Sequence, residues 1–316
     1  MKHTIKITSI LLLMFLLTQL IGLYVVDNYS TTRIENGVVV NASAQPLPYG
    51  LETPEVEEPA DYQSLFYVVI FAFIFAIIII FFLTKFKAAF ILRAWFFLVI
   101  TLALSLTFNS FFHINHSEWI ALAIALPLTY LKIFKRNFIV HNATELLIYP
   151  GIAAVFVPIL NFWTILALLV LISIYDMWAV WRSGIMQKMA KYQINQLKIF
   201  SGFFVPYMSK KLRKKIKKMK KSKSKKKVKV NMALLGGGDV IFPLITAGVI
   251  LKTRVALPFG LHEFVGGLGP ALFVIGGAML GLGYLFFFSK KKKFYPAMPF
   301  ITLGILLGLI LSYLIL

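Results

Sequence analysis

The sequence predicts an all-α polytopic membrane protein with nine transmembrane helices, a cytoplasmic N-terminus and an extracytoplasmic C-terminus. Of its 316 residues, 59% are hydrophobic and only 14% are charged. Apolar runs near the length of about 20 residues that crosses a bilayer recur along the chain. No cysteine is present, which excludes disulfides, thiol catalysis and thiolate metal sites.

Six predicted spans lie in the first part of the chain. The first is interpreted as an uncleaved helix, because the small-residue sequence Ala42-Ser43-Ala44 lies too far beyond it to end a signal peptide. The fifth contains Pro150 and Gly151 and is expected to be broken. The six spans are 5–26, 65–83, 88–108, 119–134, 138–160 and 162–181.

Two polar segments separate the spans. Residues 27–64 are acidic and contain four prolines, which predicts an exposed loop. Residues 182–229 carry 18 of the 33 basic residues, and spans at 230–251, 264–288 and 294–316 follow. The chain is therefore expected to comprise a six-span part (1–181), a basic cytoplasmic loop (182–229) and a three-span part (230–316).

The distribution of positive charge tests this count. With the N-terminus inside, the inner segments hold 29 of the 33 basic residues, as the positive-inside rule requires. Residues 210–229 resemble a nucleic-acid-binding arm, but this run has no aromatic residues for base stacking and lies between two spans. Attraction of this loop to anionic lipid, with no nucleic-acid partner, is the better interpretation.

Carboxylates at membrane depth are few. Seven of the 12 acidic residues lie between 27 and 61, whereas Asp176 and Asp239 fall within apolar runs, with Glu145 a third candidate. An ionisable group in such a run is a functional candidate, because its charge is costly there. Asp176 and Asp239 are predicted at similar depths on antiparallel helices. His113 and His116 are interpreted as polar loop residues, so no metal site is expected.

Two close carboxylates in a low-dielectric site cannot both ionise easily, so the pair shares a proton. One can then act as general base on a water while the other, protonated, polarises a carbonyl oxygen. This chemistry hydrolyses an amide bond without metal, serine or cysteine. It requires a hydrated cavity among the helices.

Three short motifs agree with that chemistry. Tyr175-Asp176 and Gly236-Gly237-Gly238-Asp239 resemble the YD and GxGD motifs of presenilin and signal peptide peptidase, the intramembrane aspartyl proteases. Pro296-Ala297-Met298-Pro299 resembles the third motif of that family, PAL, with methionine where leucine is usual. The resemblance implies an intramembrane-cleaving aspartic endopeptidase that acts on single-span transmembrane proteins, and it implies no cofactor.

The resemblance also assigns roles. It implies that Asp176 and Asp239 are the catalytic pair and that Tyr175 flanks the site. It further implies that Pro296, Ala297, Met298 and Pro299 shape the site and substrate docking. Gly236, Gly237 and Gly238 are expected to let water and an unwound substrate approach Asp239. The inside N-terminus matches presenilin rather than signal peptide peptidase, and the short chain resembles archaeal presenilin-like members, which places it in the cell membrane.

A rival hypothesis uses the same carboxylates in a proton or ion transporter or channel. The lack of an internal repeat weakens it, and Glu145 is its best support. The glycines of the eighth span, including Gly277 and Gly281, predict close helix packing and not a cofactor site. Substrate identity and oligomeric state do not follow from the sequence.

Overall fold

The computed structural model describes residues 5–30, 32–35, 38–41, 46–52, 54, 61–86, 88–112, 114, 116–135, 137–183, 200–207, 231–255, 263–289 and 295–316. Most of the basic loop lies outside these residues, as do part of the acidic loop, His113 and the lysine run 290–293. The predictions made for those segments, including lipid binding by the basic loop, therefore fall outside the described part of the chain.

The described residues are mainly α-helical, in agreement with the predicted class. Eight of the helices are long and apolar enough to cross a membrane, which makes the chain an integral multi-pass membrane protein; α7 is shorter, with 14 residues. The helices are α1 (Ile5–Asn28), α2 (Asp61–Lys85), α3 (Ala89–Asn109), α4 (Ser117–Phe134), α5 (Phe138–Phe156), α6 (Phe162–Trp178), α7 (Gly238–Leu251), α8 (Leu268–Phe288) and α9 (Met298–Ile315).

Three two-stranded antiparallel sheets connect or precede these helices. They pair β1 (Thr32–Glu35) with β2 (Val38–Asn41), β3 (Gly202–Tyr207) with β4 (Asn231–Gly236), and β5 (Arg254–Val255) with β6 (Phe264–Val265). The first sheet shows that part of the predicted acidic loop is ordered. The second lies directly before α7, so the first glycine of the Gly236-Gly237-Gly238-Asp239 motif is the last residue of a β-strand.

The prediction of one helix over 230–251 is wrong in its first third. Residues Asn231–Gly236 form β4, and the helix begins only at Gly238. The reason is the partner strand β3, whose Phe, Val and Tyr residues favour extended backbone, together with the glycines that weaken a helix at this point. Asp239 therefore lies in the first turn of α7 and not in the middle of a helix.

Other predicted boundaries also need correction. The span 138–160 is not broken, because α5 continues through Pro150 to Phe156 and ends in a 3₁₀ turn. Gly151 serves helix packing there, since its backbone lies directly against the backbone of Ala103 in α3. The spans predicted at 264–288 and 294–316 begin later as helices, at Leu268 and Met298, because β6 and the Pro296-Ala297 segment precede them.

One hydrophobic core joins α1 to the helices that carry the aspartate motifs. Leu11 and Phe15 of α1 are fully buried beside Ile165, Leu244 and Ile275 of α6, α7 and α8. α3, α4 and α5 form a second cluster. α2 differs from the other helices because only 6% of the residues in its most apolar stretch are buried.

The predicted close packing through Gly277 and Gly281 is confirmed. A side chain on Gly277 would overlap the backbone of Gly304 in α9, and one on Gly281 would overlap Phe300. Gly304 and Gly308 make the reciprocal contacts with α8. The α8–α9 pair is thus held backbone against backbone, as small-residue helix interfaces are.

Candidate active site

Asp176 lies in the last turn of α6. That helix starts at a capping box in which Asn161 and Thr164 exchange hydrogen bonds, which fixes its beginning. Ser173, one turn before Asp176, is hydrogen-bonded to Thr302 of α9 at 2.9 Å. The hydrogen bond between Ser173 and Thr302 therefore holds α6 against α9 one turn before Asp176, which positions the Asp176 side chain near the N-terminus of α9.

The carboxylate of Asp176 binds the Pro296–Pro299 segment. Asp176 is buried, and its Oδ2 accepts a hydrogen bond from the N–H of Met298 at 3.1 Å. The N–H of Ala297 also faces it. Met298 opens α9, so these are unpaired amides of a helix N-terminus, which bind anionic groups well. The structure thus joins two of the three sequence motifs through the backbone.

Asp239 occupies a similar position at the start of α7. Its carboxylate faces the N–H of Gly236, the last residue of β4. It turns back over that glycine, because a Cβ built on Gly236 would lie 3.1 Å from Asp239 Oδ2. Four residues further on, Pro243 has no N–H to bond the carbonyl of Asp239. Asp239 thus follows a strand end and precedes a proline.

The two aspartates belong to helices that contact each other, α6 and α7. Asp176 is close enough to Asp239 for their charges to interact. Asp176 is buried, whereas Asp239 is partly exposed. The structure therefore places the two predicted carboxylates in one neighbourhood.

The three glycines before Asp239 occupy different surroundings. A Cβ on Gly237 would lie 2.7 Å from Ser201 Oγ and 2.8 Å from Tyr149 Oη, so no side chain fits there without displacement. A Cβ on Gly238 would only touch the Phe242 ring at 3.6 Å, an ordinary contact. The steric need for glycine is therefore greatest at Gly237 and weakest at Gly238.

A cavity of about 200 Å³ opens beside Gly237 and Gly238. Its walls come from α2, α5, α6 and α7 and are mostly apolar, with Tyr149 and Ser201 among the lining residues. The volume holds several water molecules, each of which occupies roughly 30 Å³ in the liquid. A second, larger groove of about 970 Å³ between α8 and α9 is lined by apolar residues and Tyr284, with no carboxylate.

Tyr175 lies next to Asp176 in sequence but on a more open part of α6. Its side chain is 44% exposed, and its ring contacts Trp178 of the same helix at 6.3 Å between centroids. Asp176, by contrast, is buried. The role of Tyr175 beside the site stays a prediction.

Two polar residues near the site were missed by the sequence interpretation. Tyr149 is 2% exposed, and within the described residues its hydroxyl has no hydrogen-bond partner of good geometry. Gln19 of α1 is fully buried and donates to the carbonyl of Val240, the residue after Asp239, at 2.9 Å. Each is an uncharged polar side chain within an apolar run, and that pattern is the sequence signal that could have found them.

The sequence matches the family described as signal-peptide peptidase, presenilin aspartyl protease over residues 38–316. Two solved structures have similar folds, both described as a presenilin family intramembrane aspartate protease. The one in space group C222 has a TM-score of 0.61 and 19% identity over 98% of this chain and 99% of its own. The one in space group P2 has a TM-score of 0.59 and 19% identity over 97% of each chain. A comparison with curated protein sequences gives no significant match.

Proposed function

This chain belongs to the signal-peptide peptidase and presenilin aspartyl protease family, and on that premise we propose that Asp176 and Asp239 are its catalytic pair. The protein is an intramembrane aspartic endopeptidase, and the family implies transmembrane helical substrates in the bilayer. The proposed reaction is hydrolysis of a peptide bond within a single-span substrate. One carboxylate accepts a proton from water and the other, protonated, donates a hydrogen bond to the substrate carbonyl.

One observation carries this proposal. Asp176 accepts a hydrogen bond from the backbone of Met298 and is close enough to Asp239 for their charges to interact. The YD-like, GxGD-like and PAL-like motifs, which are distant in sequence, therefore meet at one site. A buried carboxylate that served only to join helices would not need a second one beside it. Two neighbouring carboxylates, one bonded to the N-terminus of α9 and the other in the first turn of α7, fit acid–base chemistry instead.

The reaction balances with water alone. The water oxygen bonds to the peptide carbon while its proton passes to the ionised aspartate, and the carbonyl oxygen takes the proton of the other. When the tetrahedral intermediate collapses, the carbon–nitrogen bond breaks and the leaving amine takes a proton from the aspartate that first accepted one from water. The other aspartate takes back a proton from a hydroxyl of the intermediate as the carbonyl group forms again. The products are a carboxylic acid and an amine, and the pair again shares one proton.

The strand β4 offers a way to present the substrate. A helical peptide bond is shielded by its own hydrogen bonds, so the substrate must be extended where it is cut. β4 pairs with β3 on one side, and within the described residues its other side has no strand. An unwound substrate segment could pair with that side of β4 through main-chain hydrogen bonds. The substrate would then lie next to Asp239 where it extends beyond the end of β4.

We also propose the nine-span path with a cytoplasmic N-terminus. α7 alone is about 21 Å long, at 1.5 Å per residue, and is too short for a hydrocarbon core of about 30 Å. The extended β4 adds roughly 20 Å, at about 3.3 Å per residue, so the two together suffice. The charge distribution then favours substrates with their N-termini outside, in the cell membrane.

The test is cleavage of a single-span substrate by the purified protein in sealed liposomes. Asp176→Ala and Asp239→Ala should each lower the rate by at least about 10²-fold, the lower range for acid–base groups. Glu263→Gln is the control, since that carboxylate is exposed and paired with Arg254. The unfolding temperature of each variant confirms that it folds.

Two outcomes would contradict the proposal. Cleavage that persists in either aspartate variant would remove that residue from the catalytic pair. Proton or ion flux in the same liposomes that depends on both aspartates, without cleavage, would favour the transporter hypothesis.

A further inference from the structure

A buried polar face of α5 contacts the outer edge of β3. Asn142 makes two hydrogen bonds to Phe204, donating to its carbonyl at 2.9 Å and accepting from its N–H at 3.1 Å. Glu145 Oε2 accepts from the N–H of Gly202 at 3.2 Å, and His141 Nε2 contacts the carbonyl of Gly202 at 2.8 Å. Three side chains of one helix thus bind both backbone groups of two alternate residues of β3.

These contacts reproduce the spacing of a β-ladder. In an antiparallel pair, every second residue directs its N–H and carbonyl away from its partner strand. Gly202 and Phe204 are two apart, and both face α5, so they are the outward-facing residues of β3. The next one, Pro206, has no N–H that requires a partner. α5 therefore occupies the place that a third strand would take.

The same register determines what β4 leaves open. Gly202 lies opposite Gly236, and Phe204 lies opposite Leu234. Because outward-facing residues lie opposite each other in this ladder, Gly236 and Leu234 direct their backbone groups to the far edge of β4. The Asp239 carboxylate faces the N–H of Gly236 and so lies on that same edge.

The polar face of α5 is supported by a buried ion pair. Lys132 of α4 donates to Glu145 Oε1 at 2.5 Å and to Thr144 Oγ1 at 3.3 Å, and both charged side chains are only 3% exposed. Burying two charges is costly, and replacing such a pair by apolar residues is often neutral or stabilising. Stability alone therefore does not account for it, whereas the hydrogen bond from Gly202 to Glu145 gives it a positional role.

We propose that His141, Asn142 and Glu145 act as positioning residues that close the β3 edge, so that a substrate strand can add only at the β4 edge beside Asp239. This inference rests on the proposed function. It assigns the α5 face two tasks: to hold the sheet formed before substrate arrives, and to fix the register in which the substrate passes the aspartates. A protease whose sheet is not held should bind substrate more weakly and cut it at more positions.

The test uses the full chain in liposomes and reads cleavage positions by mass spectrometry together with KM and kcat. Asn142→Ala should raise KM about tenfold, as expected for two lost hydrogen bonds, and should add cuts displaced from the main site. Asn137→Ala is the matched control, because Asn137 caps the same helix through the N–H of Ile139 and, among the described residues, makes no hydrogen bond to β3. It should lower stability without moving the cut.

A second pair of variants separates the edge contact from the buried charge and serves if Asn142→Ala fails to fold. Lys132→Met/Glu145→Gln removes both charges but keeps an oxygen that accepts from Gly202. Lys132→Met/Glu145→Leu removes the same charges and that acceptor as well. The leucine variant should broaden the cleavage pattern, and the glutamine variant should keep the wild-type pattern.

Identical cleavage positions and KM in wild type, Asn142→Ala and the leucine variant would overturn the inference. That failure is distinct from failure of the proposed function. If only this inference fails, Asp239→Ala still abolishes cleavage. If the proposed function fails, cleavage persists in Asp239→Ala.

Discussion

Two glycine-rich regions of this protein differ in what lies next to their glycines. Gly277, Gly281, Gly304 and Gly308 let α8 and α9 approach until backbone meets backbone. The glycines before α7 lie instead beside a carboxylate, two hydroxyls and a cavity. A side chain added at the four glycines of the first region would meet the backbone of the facing helix, which cannot move aside. A side chain added at the glycines before α7 would meet only other side chains.

The largest effect should come from Gly304→Val. The new side chain would overlap the backbone of Gly277, and backbone cannot move aside as a side chain can. We expect a loss of about 3 kcal/mol or more of unfolding free energy. Denaturant unfolding of the solubilised protein measures this, and cleavage should fall only with the folded fraction.

Gly276→Val is the matched control on α8, because nothing lies within 4 Å of a Cβ at that position. Equal destabilisation by the two valines would contradict the assignment of Gly304 to the packing contact.

Gly237→Ala should act on activity instead of folding. Its Cβ would lie 2.7 Å from Ser201 Oγ and 2.8 Å from Tyr149 Oη, so the segment that leads to Asp239 must shift. A displacement of about 1 Å at a catalytic group can cost 10²-fold in rate, and we expect a loss of that size. The measurement is cleavage in liposomes at unchanged unfolding temperature.

Partial recovery in the background Ser201→Ala/Tyr149→Phe would support the steric reason for that loss. Activity of Gly237→Ala within twofold of wild type would show that this segment can move without consequence.

Sequence alone could predict the aspartates as candidate site residues because their signal is local. A carboxylate in an apolar run is rare, and Asp176 and Asp239 each sit in a recognisable motif. Pro296 to Pro299 could be predicted as a site segment for the same reason, and the structure places its backbone on Asp176.

The strand β4 could not be predicted in the same way. Its extended form depends on pairing with β3, which lies far from it in the chain, and apolar residues such as Leu234 and Leu235 suit a membrane helix equally well. The contacts of Asn142 and Glu145 could not be predicted for a similar reason, since their partners on β3 are about 60 residues away.

The smallest effect should come from Gly238→Ala. A Cβ here would make only an ordinary contact with Phe242. Alanine also stabilises the first turn of α7 more than glycine does. We expect cleavage within about threefold of wild type and a gain of roughly 0.5–1 kcal/mol in unfolding free energy. Loss of activity as large as that of Gly237→Ala would mean that the cavity beside Gly238 must remain empty for substrate.

The most direct test of the paired-aspartate mechanism is an experimental structure with a bound peptide analogue in which a hydroxyl replaces the hydrated peptide carbonyl. We predict that this hydroxyl lies about 3 Å from a carboxylate oxygen of both Asp176 and Asp239, the distance of a hydrogen bond. A bound analogue that inhibits cleavage while its hydroxyl contacts neither aspartate would contradict the mechanism.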